Sequence, residues 1–69
     1  MEILGERLMM LRKEKNLRQE DVAKAIEIGF NTYRRYEHGS REPGASTILA
    51  LADFYGVSAD YLLGRTDVR

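Results

Sequence analysis

A chain of 69 residues with 11 Lys plus Arg, 11 Asp plus Glu and no Cys makes one small domain, since a chain this short buries only about 60% of the surface it exposes when unfolded. Without Cys there is no disulfide framework and no thiolate metal site. No apolar run reaches the length of a membrane span or a signal-peptide core, so the expectation is a soluble, cytoplasmic protein. Zero net charge argues against binding a polyanion by bulk charge, and any positive face must come from local placement of Arg18, Arg34, Arg35 and Arg41.

From Ile3 to Lys15, Leu4, Leu8 and Leu11 repeat with helical spacing, which predicts an amphipathic helix closed by Asn16, a residue that tolerates the left-handed conformation. Leu17 then turns inward. A second helix is predicted from Gln19 to Ile26, with Glu20 and Asp21 in its first turn, where the helix dipole favours negative charge. A third spans Phe30 to His38 and is closed by Gly39. The apolar residues Val22, Ala23, Ile26, Ile28, Tyr33 and Tyr36 fit two short helices joined by a tight turn, the layout of a helix-turn-helix. Pro43 and Gly44 mark a loop before a fourth helix, Ala45 to Tyr55, whose buried stripe is Ile48, Leu51, Ala52 and Tyr55 and which ends at Gly56. Ser58 is placed to cap a short fifth helix, with Val57 and Leu62 as a hydrophobic staple. Gly64 stops it, and residues 65 to 69 read as a polar tail expected to fray. Nothing alternates in the manner of a strand, so the fold class is all-α with five helices.

The third helix presents an outward set of one ring, one carboxamide and two guanidiniums: Phe30, Asn31, Arg34 and Arg35. These groups suit the floor and walls of a DNA major groove. Asn31 can donate to and accept from the edge of adenine, or else bond solvent as a first-turn residue. Phe30 either presses on a thymine methyl or folds back beside Ile28. Arg34 shares the face of Phe30 and Asn31 and is assigned to base or phosphate contact, whereas Arg35, displaced toward the groove wall, is assigned to phosphate; a pair of solvated Arg is the alternative. Gln19 opens the second helix, where side chain and backbone amide can meet a phosphate. The one His, His38, allows no multi-His metal site and lacks the partners of a triad. Glu20 and Asp21 read as helix-start charges, and no Gly-rich phosphate loop is present. The expectation is no enzyme, no cofactor and no metal.

The segments LGERLMMLRKEKNLRQEDVA, TYRRYEHGSREP and LADFYGVSADYLLG resemble the phage repressor and Cro-type (Xre) family of bacterial regulators, over about Leu4 to Gly64. The resemblance implies a lambda-repressor-like DNA-binding domain over residues 1 to 64, acting as a small bacterial or phage transcriptional regulator of the repressor kind. It also implies double-stranded DNA with a near-palindromic operator as partner, a homodimer, and no small-molecule ligand. Residue by residue, it assigns Gln19 to a phosphate and Arg41 to the backbone or an adjacent minor groove; Ser40 and Lys24 are minor candidates for phosphate contact. It matches Arg12 and Glu37 to a structural ion pair and puts Tyr61 and Leu63, expected to be exposed, at the dimer interface. Four positions depart from the pattern. Glu27 stands where a positive-φ Gly is usual, Arg18 and Gly29 where Ser or Thr caps are common, and Phe30 where a polar reader is frequent. Arg18 would then either hold a phosphate or be solvated. Met9 and Met10 replace charged residues and either extend an interface or fill a core gap. The competing reading is a protein-interaction or antitoxin-like module with weak DNA affinity.

Overall fold

The computed structural model describes residues 1–69 as five helices in the order α1 (Glu2–Glu14), α2 (Gln19–Ala25), α3 (Phe30–His38), α4 (Ala45–Tyr55) and α5 (Ala59–Leu62). The third and fourth agree with the boundaries read from the sequence. The first lies one residue earlier than expected and the second stops one residue sooner, with Ile26 as its C-cap. Leu4, Leu8 and Leu11 of α1 meet Val22 and Ala23 of α2, Tyr33 and Tyr36 of α3, Leu51, Ala52 and Tyr55 of α4, and Tyr61 and Leu62 of α5 in one core. Leu17, Ile26, Ile28, Phe54 and Val57 pack around it. At its centre the hydroxyls of Tyr33 and Tyr55 lie 2.7 Å apart and share one hydrogen bond. Burial pushes the Tyr55 hydroxyl up to about 12 and that of Tyr33 further up, so both phenols stay neutral.

All five helices are closed by one device. Asn16, Glu27, Gly39, Gly56 and Gly64 have positive φ, and in each case the next amide reaches back to a carbonyl of the last turn, as with Leu17 to Arg12 (3.1 Å) and Ile28 to Ala23 (2.9 Å). This double bond pattern is the Schellman closure. Three positions use Gly; Asn16 at φ 55 and Glu27 at φ 59 do not. A left-handed conformation costs a side-chain-bearing residue about 1–2 kcal/mol, less for Asn, whose amide can bond locally. Glu27 is exposed and makes no ion pair. Glu27→Gly is therefore expected to raise stability by about 1 kcal/mol, a rise of roughly 4–8 °C in Tm for a domain of this size. A thermal melt followed by circular dichroism checks it, and an unchanged or lower midpoint would mean that the turn is unstrained.

The helix starts are less uniform. Arg18 supplies no side-chain acceptor to α2, as expected; instead the Asp21 carboxylate accepts from the Arg18 backbone N–H at 2.8 Å, so only the returning half of a capping box is made. Ser58 caps α5 through Oγ, which accepts from the Tyr61 N–H at 3.0 Å.

Two expectations are corrected at the carboxyl end. The tail does not fray: Arg7 donates to the carbonyls of Tyr61 and Thr66 and to the Asp67 carboxylate (2.7 Å). Arg69 grips Glu14 through two bonds of 2.9 and 2.6 Å, and its carbonyl accepts from the Ser58 N–H at 2.8 Å. Tyr61 is not exposed either. The residue is only 6% accessible, and its ring lies under the Arg7 guanidinium at 4.1 Å and the Arg69 guanidinium at 5.6 Å. Leu63 is half-buried. The contacts of Arg7 with Tyr61, Thr66 and Asp67, and of Arg69 with Glu14, join residues more than 50 apart, which local pattern does not disclose.

Candidate nucleic-acid interface

The α2–α3 unit is held from inside. Val22 and Ala23 on one helix and Tyr33 and Tyr36 on the other face the core, which fixes which side of α3 points out. That outer side carries Phe30, Asn31, Arg34, Arg35 and His38, all exposed, followed by Ser40 and Arg41 in the loop. The docked tail lies along α1, against Arg7 and Glu14, and leaves this face open. Phe30 is 46% accessible and outside the core, so of the two readings left open for it the structure does not show a core residue, although it lines a shallow groove with Glu20, Ala23, Lys24 and Ile28. Met9 and Met10 are exposed too, and neither fills a core gap.

Glu37, the one carboxylate on α3, is turned inward and its side chain is 3% accessible. Arg12 donates to it from Nε (2.7 Å) and Nη2 (3.1 Å), and a further Arg12 bond reaches the Leu17 carbonyl at 2.9 Å. The pair expected between Arg12 and Glu37 is therefore present. Gln19 adds a bond of 3.2 Å from its side-chain nitrogen to Glu37, a role the sequence did not suggest. Gln19 thereby ties the start of α2 to the end of α3, while its own backbone N–H remains free of any backbone carbonyl.

The balance of charge resolves when the ion pairs are followed one by one. Of eight Arg, Arg7, Arg12, Arg18, Arg65 and Arg69 are each matched to a carboxylate. Arg34, Arg35 and Arg41 are not, and all three lie on α3 or in the loop after it. Arg18, read from the sequence as either a phosphate contact or a solvated side chain, is shared between Glu20 (2.9 Å) and Asp21 (3.2 Å); the Asp21 partnership raises its pKa and lowers that of Asp21. It is thus not among the free cations. Arg34, Arg35, His38 and Ser40 together line an open concavity of about 360 Å³ with no acid on its wall. Its His38 was read from sequence only as a helix-end residue. The spacing of four from Arg34 was the available signal, since residues so spaced share a helix face.

The Helix-turn-helix family profile matches residues 8–62. The chain belongs to the helix-turn-helix family. Its helix-turn-helix resembles the transcriptional regulator ImmR of Bacillus subtilis (strain 168), with 40% identity over 65 residues covering 94% of this chain and 51% of that protein. It also resembles the cryptic phage CTXphi transcriptional repressor RstR of Vibrio cholerae, 51% identical over 47 residues, 68% of this chain and 42% of that one. The chain spans about half the length of the curated relatives it matches. Among solved structures, the P22 c2 repressor protein in complex with a synthetic operator superposes with a TM-score of 0.82 and 30% identity, covering 86% of this chain and 89% of that one. The five-helix architecture is thus that of the repressor-type helix-turn-helix domain. The relatives are regulators and repressors by name, in keeping with the expectation against an enzyme. No helix is long and apolar enough to cross a membrane.

Proposed function

We propose that this domain binds double-stranded DNA sequence-specifically, with α3 in the major groove, as the DNA-reading unit of a cytoplasmic transcriptional regulator of the repressor type. One observation carries the reading: the three arginines without a carboxylate partner are Arg34 and Arg35 on α3, the helix on which Phe30 and Asn31 are exposed, and Arg41 in the loop that follows it. A neutral chain acquires a positive, hydrogen-bonding side in this way, and inward pairing of Glu37 removes the one negative charge that α3 itself carries. Phe30, Asn31 and Arg34 read bases. Arg35, Arg41, Ser40 and the amino end of α2 at Gln19 hold phosphates and set the register. The likeness to a repressor solved on operator DNA supports the same orientation.

A single domain covers one half-site, so the operator is near-palindromic and the binding species a homodimer, with half-sites about 10 bp apart. Leu63 remains a candidate for its interface. The buried Tyr61 ring can contribute only by shaping the surface from beneath.

The test is fluorescence anisotropy with mixed duplex DNA at low and moderate salt. Affinity is expected to fall steeply as salt rises, and absence of binding even at low salt would overturn the reading in favour of an interaction module. With selected sites, Asn31→Ala should relax preference at one base position, worth about 1–3 kcal/mol of discrimination. Arg41→Ala should weaken all sequences alike and reduce the salt slope by about 1. An unchanged selection profile for the Asn31 variant would remove Asn31 as a reader.

A further inference from the structure

Resting on the DNA-binding reading above, the geometry points to Phe30 and Arg34 acting as one reading unit for a thymine and a guanine in neighbouring base pairs. The two residues are one helical turn apart on the outer side of α3, and the Arg34 guanidinium lies over the Phe30 ring, 5.8 Å from its centroid. Attraction of a cation to an aromatic face holds the guanidinium there, and no carboxylate competes for it. Arg34 is thus positioned by a group that leaves its N–H donors unspent.

Each group then has one complement in the major groove. A phenyl ring can neither donate nor accept a strong hydrogen bond, so the base-edge feature it fits is the 5-methyl of thymine, the apolar group of that groove. A guanidinium with free donors fits O6 and N7 of guanine, the commonest specific contact made by Arg. Base pairs rise by about 3.4 Å along a strand, so two groups 5.8 Å apart span neighbouring pairs instead of sharing one. Exposure of the ring adds to the case. An accessible phenyl on an otherwise polar helix face loses water only when something apolar covers it, and docking α3 in the groove supplies the thymine methyl.

Duplexes selected by the protein from random DNA provide the probe. Each thymine in a selected site is replaced in turn by deoxyuridine, which lacks only the methyl group. One position in each half-site is expected to lose about fourfold in affinity on this change, the size set by one buried methyl. Phe30→Ala, whose exposed ring the core does not need, should be insensitive to the same change while staying folded by circular dichroism. Arg34→Ala should relax the choice of guanine in the adjoining pair, and Phe30→Ala should partly relax that same guanine because the guanidinium loses its support. The pairing is overturned if sequence-specific binding persists while no deoxyuridine matters, or if the sensitive thymine does not adjoin the guanine that Arg34 reads. Loss of all sequence preference in the parent protein would sink the DNA-reading proposal itself, and this unit with it.

Discussion

Replacing Arg12 by Leu is expected to cost about 3–5 kcal/mol of folding stability, the range for removing one partner of a buried ion pair and leaving the other charge unmatched. A domain of this kind has only about 5–15 kcal/mol in total, so the variant should be largely unfolded at modest urea. The reasoning rests on what Glu37 would lose. Its side chain is 3% accessible, Arg12 provides two of its bonds, and only neutral partners would remain, the Gln19 amide at 3.2 Å and the neighbouring Tyr33 hydroxyl. The Leu17 carbonyl, now bonded by Arg12 at 2.9 Å, would lose its side-chain partner as well. Removing both charges should be far milder than removing one: the Arg12→Leu, Glu37→Leu double variant is expected to recover much of the loss, because an apolar pair of similar size often replaces a buried ion pair at little cost. Urea denaturation of the four proteins in the cycle measures this. Equal midpoints for the parent and the Arg12 variant would show that the pair is ornamental. A double variant no better than the single would mean that the bond to Leu17, and not the charge, is what α1 needs.

That pair also shows where sequence reading ran ahead of its own physical grounds. Helix spacing in Leu4, Leu8 and Leu11, and the terminators Gly39 and Gly56, are local signals, and they placed α3 and α4 at the observed boundaries. Arg12 and Glu37 lie 25 residues apart, and only the family resemblance joined them. Where contacts between distant residues decide the outcome and the resemblance did not supply them, the reading went astray. The tail residues Asp67 and Arg69 look solvated by composition, yet they meet Arg7 and Glu14 along α1. Those same contacts cover Tyr61, which a short helix was expected to leave bare. The free charge on the reading face was legible in part. Counting residues gives neutrality and the sequence pointed to Arg18, Arg34, Arg35 and Arg41, but only the ion pairs show that Arg18 is matched and the other three are left over.

Gly5→Ala should destabilise the domain although it is a Gly-to-Ala change inside a helix, where about 1 kcal/mol of stabilisation is the ordinary result. Gly5 lies in α1 where that helix crosses the end of α3. A Cβ there would fall on the Glu37 carbonyl oxygen and within 2.9 Å of the Tyr36 carbonyl oxygen and the Glu37 carbonyl carbon. These are backbone atoms of a packed helix and cannot swing aside as a side-chain tip can. Relief requires moving α1 and α3 apart, and overpacking of this kind costs about 1–3 kcal/mol, enough to lower Tm by several degrees at roughly 4–8 °C per kcal/mol. Gly44→Ala is the control, since a Cβ there meets nothing within 4 Å and the φ of −73° suits any residue; its midpoint should stay close to the parent's. A Gly5 variant that melts at or above the parent would show that the two helices can separate without penalty. The expected separation has a second consequence, because the turn of α3 that would be pushed outward is the one that Arg12 and Gln19 hold through Glu37. DNA affinity should therefore fall at temperatures where the variant is still folded, through misplacement of the reading helix with none of its reading residues changed.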